Sequence, residues 1–293
     1  MSGQLRGAGL MVLATMLIAA STLFAKALGA GDDPLSPIQV TWGRYVFGLC
    51  LILLLARGVK LDHPRWPLHM GRVGCGWLGV TCMFTAAASM PLGDVTAISF
   101  TNPIIAMVIA VPLLGERIGR VRVACAVGAM VGALLLIRPG VAGFQPVALV
   151  ALLAALLFGF EVIFLKMLAG KERTMQVVLI ANMTGAALSC TVVGFFWQAP
   201  SLTQWLLMIG VGTTMVCAQI LFTNALRLGE AGFILPFSYA TLVWATVYDA
   251  ALFGTVPAPL SFAGGLIIIA CGITLALREG RAKMPVVPSR PSA

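Results

Sequence analysis

Residues 147–168 read VALVALLAALLFGFEVIFLKML, a run of 22 residues whose only charged side chains are Glu161 and Lys166. An α-helix needs about 20 predominantly apolar residues to cross the hydrocarbon core of a bilayer. The run is therefore long enough and apolar enough to form a membrane-spanning helix. A carboxyl group in the middle of such a helix is costly, which marks Glu161 as a functional candidate.

The rest of the chain has the same character. Of its 293 residues, 60% are hydrophobic and 10% are charged, and the mean hydropathy is +1.00. Soluble domains carry roughly 25% charged residues, so a soluble enzyme, a nucleic-acid-binding domain and a disordered chain are excluded as the main interpretations. The hydropathy predicts an all-α membrane protein with ten transmembrane helices, at residues 7–29, 38–56, 73–90, 95–114, 121–137, 147–168, 175–196, 205–225, 232–253 and 260–277.

Basic residues are distributed unevenly over the connections between these runs. If the N-terminus is cytoplasmic, 15 of the 19 Lys and Arg residues, Arg65 and Arg72 among them, lie in cytoplasmic segments, and only Arg138 lies in an outer loop. Positive charge accumulates on the cytoplasmic side of membrane proteins, so both termini are predicted to be cytoplasmic. The net charge of +9 is then a topology signal rather than a nucleic-acid-binding surface.

The two halves of the chain are related by a shift of about 140 residues. The shift places Phe24 on Phe164 and Lys26 on Lys166 and, with a one-residue gap, Ser99 on Ser238. Five spans per half is an odd number, so the second half enters the membrane in the opposite direction. We predict inverted repeats at residues 1–140 and 141–280 with a cytoplasmic tail at 281–293, and a substrate site near the midplane between the repeats.

Several short motifs carry a resemblance to a known family. They are Phe-Ala-Lys at 24–26, Trp-Gly-Arg-Tyr at 42–45, Ile-Ser-Phe-Thr-Asn-Pro at 98–103, Pro-Leu-Leu-Gly-Glu at 112–116 and Leu-Pro-Phe-Ser-Tyr-Ala-Thr-Leu-Val-Trp at 235–244. Over residues 7–280 the chain resembles the EamA-type ten-helix carriers of the drug/metabolite transporter superfamily. One departure is Gly254-Thr255, where such carriers often keep a Gly-Glu pair.

The resemblance implies a secondary active transporter of a small organic metabolite in the bacterial inner membrane, working by alternating access, not an enzyme, with no cofactor. The motifs are most similar to those of members that take up cofactor-sized solutes such as riboflavin or S-adenosylmethionine. Export of amino acids or of related amphiphilic metabolites and drugs is the alternative. The expected partners are the solute and the lipid bilayer, with no nucleic acid, and protons are a partner if transport is proton-coupled.

Arg44 and Glu161 are the leading candidates for solute contact. A guanidinium group binds carboxylate or phosphate in bidentate fashion, and Arg44, followed by Tyr45, lies about two turns into the second run. A carboxyl group in apolar surroundings, as at Glu161, suits proton exchange or the binding of a substrate amine. Interfacial anchoring of Arg44 and a structural hydrogen bond from Glu161 are the alternatives. Lys26 and Asp249 lie closer to the ends of their spans, where snorkelling or an interfacial role is equally compatible.

Prolines mark predicted helix breaks in the fourth and ninth runs. A proline inside a helix removes a backbone hydrogen bond, and the carbonyl it frees inside a membrane requires another partner. Pro103 with Asn102, and Pro236 with Tyr239, are therefore predicted to line a cavity, and simple kinks are the alternative. Asn182 and Trp244 are further candidates for solute contact.

No catalytic or metal site is predicted. The seven cysteines lie in apolar runs without a C-x-x-C pair, and His63 and His69 lie in one polar loop without Cys or acidic residues at ligand spacing. Gly128 and Gly132 form a small face, which suits either helix packing within the chain or a dimer contact. The chain is therefore expected to be a monomer or a homodimer.

Overall fold

Apolar runs form helices in a bilayer because the backbone must satisfy its hydrogen bonds internally. The computed structural model describes residues 3–29, 33–55, 61–87, 98–116, 119–137, 147–253 and 259–282, and these contain helices and turns but no strand. The main helices are α1 Gly3–Gly29, α2 Pro37–Leu55, α3 Trp66–Ala87, α4 Asn102–Leu114, α5 Arg120–Ile137, α6 Ala148–Ala169, α7 Thr174–Val193, α8 Leu202–Leu228, α9 Ala240–Phe253 and α10 Pro259–Ala282.

Five helical stretches are long and apolar enough to cross a membrane, namely Gly3–Gly29, Pro37–Leu55, Ala148–Ala169, Thr174–Phe196 and Leu202–Leu228. Shorter apolar helices cover Asn102–Leu114, Ala231–Ala245 and Ala263–Leu275. The chain is thus a helical multi-pass membrane protein. The count of ten spans and the cytoplasmic placement of both termini stay predictions.

Helices are interrupted near both prolines that the sequence analysis singled out. A turn at residues 100–101 precedes α4, and a one-turn helix Ala231–Ile234 and a 3-10 turn Leu235–Tyr239 precede α9. Pro103 and Pro236 each lie in the first turn of an element. The N–H groups of a first turn have no partner within the helix, so Pro103 removes no hydrogen bond from the interior of α4. Pro236 lies inside the helical stretch Ala231–Ala245, where the one-turn helix gives way to the 3-10 turn, as is usual where a proline interrupts a helix.

Helices of the first half pack largely on helices of the second. The main pairs are α1 with α8, α3 with α6, α5 with α10, α2 with α8, α2 with α7, α4 with α6 and α1 with α9. The 140-residue shift converts the α1–α8 pair into the α6–α3 pair, and the α1–α9 pair into the α6–α4 pair. The pairing is therefore reciprocal between the halves.

Two aromatic residues show the same reciprocity in atomic detail. Phe24 of α1 lies over Gly210 of α8, where a Cβ would approach its ring to 3.0 Å, and Phe164 of α6 lies over Gly71 of α3, where a Cβ would approach to 3.1 Å. The shift superimposes Phe24 on Phe164 and, with the one-residue gap, Gly71 on Gly210. The two ring-on-glycine contacts are thus equivalent.

The face of α5 that carries Gly128 and Gly132 packs against another helix of the same chain. A Cβ added at Gly132 would lie 2.7 Å from the carbonyl oxygen of Gly264, and one at Gly128 would lie 2.8 Å from Sγ of Cys271. Both neighbours belong to α10. Close packing of α5 on α10 therefore covers the face that the sequence analysis left open for a dimer contact.

Candidate functional site

A cavity of about 410 Å³ lies between α1, α2, α3, α6 and α8. Both halves of the chain contribute, since α1, α2 and α3 form one side and α6 and α8 the other. Its volume is within the range of roughly 300–1,000 Å³ that is usual for small-molecule sites. The residues that line it are Ser21, Thr22, Ala25, Gly29, Leu35, Pro37, Val40, Thr41, Arg44, Tyr45, Gly76, Val80, Met83, Phe158, Glu161, Val211 and Met215.

Arg44 supplies a positive charge to this cavity. Its guanidinium carbon lies 5.1 Å from the centre of the adjacent Tyr45 ring, and its buried Nε has no hydrogen-bond partner. A buried guanidinium donor without a partner is unfavourable. Arg44 is therefore placed to bind an anionic group that enters the cavity.

Glu161 supplies a negative charge. It lies on α6 opposite Gly76 of α3, and a Cβ on that glycine would approach the Glu161 carboxyl carbon to 2.9 Å. Within the described residues, no hydrogen bond and no ion pair within 4.0 Å involves this carboxylate. The missing side chain at Gly76 makes room for a free carboxyl group beside the cavity.

The remaining wall is mostly apolar, with Val40, Val80, Met83 and Met215 among its members. Phe158 lies against Gly79 of α3, where a Cβ would approach the ring to 2.8 Å. An apolar cavity with a few convergent polar groups is the usual form of a small-molecule site, in which the polar groups fix the orientation of the ligand.

Arg72 is not in a loop, contrary to the sequence analysis. The helix α3 begins at Trp66 rather than near residue 73, so Arg72 is helical, and it is 3% exposed. Its Nη1 donates to the carbonyl oxygen of Val177 on α7 at 3.4 Å, and its Nε has no partner. Arg72 lies within electrostatic range of Glu161 and Arg44. The sequence did not indicate that Arg72 lies near the cavity, because a basic residue near the end of a span is interpreted as a topology signal.

His69 is also buried, in the first turns of α3, and it has an acidic partner that sequence spacing did not reveal. Its Nε2 lies 2.9 Å from Oε2 of Glu172 in the α6–α7 connection. Glu172 also accepts hydrogen bonds from the Arg65 backbone N–H and from Gln176. Gln176 in turn is bonded to the backbone of Asp62. This Glu172 cluster therefore ties the α2–α3 connection to the start of α7.

The Glu172 cluster determines how its two titratable groups behave. Burial alone would raise the pKa of Glu172, but the hydrogen bonds from the Arg65 N–H, His69 and Gln176 outweigh it and lower that pKa. Burial lowers the pKa of His69, which precedes the predicted span at residues 73–90. In the folded protein at neutral pH the pair is therefore a carboxylate and a neutral imidazole.

We expect acid to destabilise this end of the protein. Both folded pKa values lie below the unfolded values, so the stabilisation is complete above about pH 6.5 and is lost as pH falls, first through His69 and then through Glu172. Replacing Glu172 with Gln should lower stability by about 1–3 kcal/mol at neutral pH. Thermal unfolding in detergent between about pH 8 and about pH 5 measures both effects.

Glu230→Gln is the matched control, since Glu230 is half-exposed and pairs with Arg122. Exposed ion pairs contribute about 0–1 kcal/mol, so its unfolding temperature should change little. Equal losses for the two variants would contradict the role given to the Glu172 cluster.

At the opposite end of α2 a neutral contact joins the halves. The Gln39 amide donates to the carbonyl oxygen of Gln198 at 2.7 Å and accepts from the Gln198 N–H at 3.0 Å. Trp42, which follows the cavity-lining Thr41 on α2, packs edge-to-face on Trp197 with ring centres 5.1 Å apart. Trp42 is therefore a packing residue next to the site.

Six predicted site residues do not line the cavity, and Pro103 and Pro236 are two of them. Asn182 is buried and donates to Val178 and to Gln219. Tyr239 is 0% exposed, packs against Phe100 and has an unpartnered hydroxyl group. Asn102 begins α4, and Trp244 is half-buried in α9.

Lys166 and Glu116 have structural contacts at helix ends. The Lys166 ammonium group donates to the carbonyl oxygens of Leu226 and Gly229, at the C-terminal end of α8, where a positive charge stabilises a helix. The Glu116 carboxylate accepts hydrogen bonds from the N–H groups of Ala231 and Gly232 at 2.8 and 2.9 Å.

Lys26 and Asp249 lie in α1 and α9, and their side chains lie outside the described part of the structure.

The fold and this cavity define a helical membrane protein with a solute-sized site between its two halves. The EamA-like transporter family matches the chain twice, over residues 5–138 and 145–278, so the protein belongs to this family of the drug/metabolite transporter superfamily. Family membership and the transporter names of its relatives point to a transporter rather than an enzyme.

Three relatives illustrate the range of the family. A pseudopaline exporter of Pseudomonas aeruginosa is 26% identical over 90% of this chain and 94% of its own. A riboflavin transporter of Rhizobium johnstonii is 28% identical over 81% of this chain and 78% of its own. An S-adenosylmethionine uptake transporter of Rickettsia bellii is 24% identical over 94% and 95%.

A crystal structure that is 21% identical supports the fold. It superimposes with a TM-score of 0.82 and covers 95% of this chain and 99% of its own. The relatives are named transporters of metabolites, which supports a transporter, and their names differ in solute and in direction.

Proposed function

We propose that the protein is a secondary carrier of the bacterial inner membrane that moves a small organic metabolite by alternating access. Its ten spans form inverted repeats at residues 1–140 and 141–280, with both termini and the 281–293 tail in the cytoplasm. The reciprocal packing of α1–α8 and α6–α3, and the bias of basic residues, support this arrangement. Energy comes from the gradient of the solute, from exchange or from protons.

The solute carries both a carboxylate and an amine, and S-adenosylmethionine taken up from outside is the best candidate. The observation that carries this proposal is that Arg44 and Glu161 line one mostly apolar cavity. Among the described residues, neither has an ion-pair partner within 4.0 Å. Arg44 binds the carboxylate and Glu161 the ammonium group. Riboflavin, the other cofactor-sized candidate, has neither charge.

Export of amino acids or of related amphiphilic metabolites is the second candidate. The same pair of charges matches any zwitterion, and a relative at 26% identity is named an exporter. The two candidates share the chemistry of the site and differ in the size of the solute and in the direction of transport.

A ligand panel on the detergent-purified protein tests the proposal. We expect S-adenosylmethionine to raise the unfolding temperature and riboflavin to leave it unchanged, because only the former places charges on both Arg44 and Glu161. A ligand at 100 times its Kd stabilises the folded state by about 2.7 kcal/mol, which a thermal shift resolves. Amino acids alone raising the temperature would favour the exporter, and a riboflavin shift alone would overturn the zwitterion proposal.

Reconstituted liposomes then separate the directions and the transport class. A carrier shows saturable counterflow of labelled solute across the membrane, whereas a channel does not. Uptake into inverted and right-side-out vesicles of cells that produce the protein distinguishes import from export. Linear, unsaturable flux would contradict the carrier mechanism.

A further inference from the structure

The cavity reaches the surface of the protein at the end where α1 finishes and α2 begins. Gly29, the last residue of α1, and Pro37, the first residue of α2, both line the cavity and are exposed. Ser21 also lines it, whereas Ala14, two turns earlier on the same face of α1, is fully buried, as is Thr15. The face of α1 that borders the cavity is therefore closed towards the end where α1 begins.

The connection between α8 and α9 lies at that closed end. A Cβ on Gly3, where α1 begins, would lie 3.4 Å from the carbonyl oxygen of Leu228, where α8 ends. Glu116, at the end of α4 in the first half, accepts hydrogen bonds from the N–H groups of Ala231 and Gly232 at 2.8 and 2.9 Å. Hydrogen bonds to a carboxylate are roughly twice as strong as neutral ones. One side chain of the first half thus holds two successive N–H groups of the second.

Two other side chains contact the same connection, but neither ties the halves together as strongly. Lys166 donates to the carbonyl oxygens of Leu226 and Gly229, and all three residues belong to the second half. Arg122 of the first half pairs with Glu230, whose side chain is 49% exposed. Exposed ion pairs contribute little to stability. Glu116 therefore makes the principal polar contact between the halves at this connection.

The internal repeat relates the two ends of the protein, and it does not reproduce this contact. With the one-residue gap, the shift places Gly115 on Gly254 and Glu116 on Thr255. Thr255 lies outside the described residues, but its side chain has a single hydroxyl group and no charge. It cannot provide the two charged acceptor oxygens that Glu116 provides. The contact is therefore available to one end of the protein and not to the other.

We infer that the contact of Glu116 with the N–H groups of Ala231 and Gly232, called here the Glu116 latch, keeps the cytoplasmic side of the carrier closed in the absence of solute. The inference rests on the proposed function, because alternating access requires this end to open once in each cycle. The outward-facing state keeps two hydrogen bonds that have no counterpart when the other end is closed. The ligand-free carrier therefore rests in the outward-facing state, and the latch must break before solute can pass to or from the cytoplasm.

Two positions that the repeat relates report which end is open. Gly29 lines the exposed end of the cavity, and a Cβ there meets nothing within 4 Å. The shift of 140 residues places it on Ala169, the last residue of α6, which is 0% exposed. A hydrophilic maleimide should label Gly29→Cys in the outward-facing state and Ala169→Cys in the inward-facing state. Mass spectrometry of peptides reads each position separately from the seven native cysteines.

Replacing Glu116 with Gln tests the latch on these two reporters in detergent-purified protein. The amide has no charge and one acceptor oxygen, so the closed cytoplasmic side loses stability relative to the open one. We expect the labelling rate of Ala169→Cys to rise about tenfold and that of Gly29→Cys to stay the same or fall. Glu230→Gln removes a half-exposed carboxylate from the same connection and should leave both rates at the wild-type values. Faster labelling at both positions would indicate general loosening and would contradict the latch.

Thr255→Glu tests the same inference by adding a carboxylate instead of removing one. It supplies the missing counterpart of the latch, so the inward-facing state should gain stability. Labelling of Gly29→Cys should become slower and that of Ala169→Cys faster, while Glu116 stays in place. If Glu116→Gln does not fold, Thr255→Glu decides, and unchanged rates at both reporters then overturn the inference.

Counterflow in liposomes separates the latch from the proposed function. If the wild type shows no saturable counterflow, the carrier mechanism fails, whatever the labelling rates are. If it shows counterflow and Glu116→Gln leaves the labelling of Ala169→Cys unchanged, the carrier mechanism stands and the latch is overturned. Counterflow together with faster labelling of Ala169→Cys alone supports both.

Discussion

Replacing Arg44 with Met is expected to weaken the binding of S-adenosylmethionine by roughly 30-fold to 4,000-fold. Removing one partner of a desolvated charge pair costs about 2–5 kcal/mol, and every 1.4 kcal/mol is a factor of about ten in Kd. Among the described residues, the buried Nε of Arg44 has no hydrogen-bond partner. Its loss therefore removes the carboxylate site and leaves Glu161 as the charged group of the cavity wall.

The specificity of this loss is as informative as its size. The methyl ester of the ligand lacks the carboxylate, so we expect wild-type protein to bind the ester much more weakly than the acid, and Arg44→Met to bind the two equally. Glu161→Gln should show the mirror image, losing its preference for the amine over a desamino analogue. Calorimetric Kd values for the acid and the ester on each variant provide the measurement.

Arg44→Lys and Arg65→Met are the controls for this experiment. The lysine variant keeps the charge but loses the planar fork of donors, so it should retain part of the preference for the acid. Arg65 is exposed outside the cavity, and its replacement should change neither Kd. An Arg44→Met variant that still prefers the acid by the wild-type factor would remove Arg44 from the carboxylate site.

The sequence predicted the two charged residues of the cavity, but it did not predict which other residues line it. Hydropathy places Arg44 and Glu161 inside spans, where a charge is costly, and the structure brings both to one cavity. Tyr239 and Asn182 were chosen for polarity within a span, but polar residues also pack within a bundle, and neither lines the cavity. Polarity alone does not indicate which face of a helix a residue occupies.

Contacts between residues that are far apart in the sequence could not be predicted from it. His69 and Glu172 are 103 positions apart, and their pairing depends on how the α2–α3 and α6–α7 connections meet. Arg72 was misplaced because hydropathy begins a span where apolar residues begin, whereas α3 begins at Trp66 among polar residues. Tertiary contacts stabilise that first polar stretch, and hydropathy does not report them.

The internal repeat does predict one tertiary contact, between Tyr45 and Gly185. The shift of 140 residues relates these two positions, and in the structure they touch each other where α2 packs on α7. A Cβ on Gly185 would lie 2.4 Å from two carbons of the Tyr45 ring. Residues that a two-fold pseudosymmetry exchanges meet only near its axis, so one of them must be small when the other is an aromatic ring.

Replacing Gly185 with Ala is accordingly expected to have a large effect from outside the cavity. The neighbour of the new Cβ is the rigid ring of Tyr45, which is 8% exposed and lines the cavity beside Arg44. Overpacking of this kind costs about 1–3 kcal/mol. We expect a lower unfolding temperature together with weaker ligand binding, because the ring and the Arg44 guanidinium group stacked on it must move.

Gly194→Ala is the matched control, since Gly194 ends α7 and a Cβ there meets nothing within 4 Å. The double variant Tyr45→Ala, Gly185→Ala removes the ring that the new methyl group meets. Its unfolding temperature should therefore exceed the value expected from adding the two single effects, as coupled neighbours do. If the effects were additive, the close approach of Tyr45 to Gly185 would not be what couples α7 to the cavity.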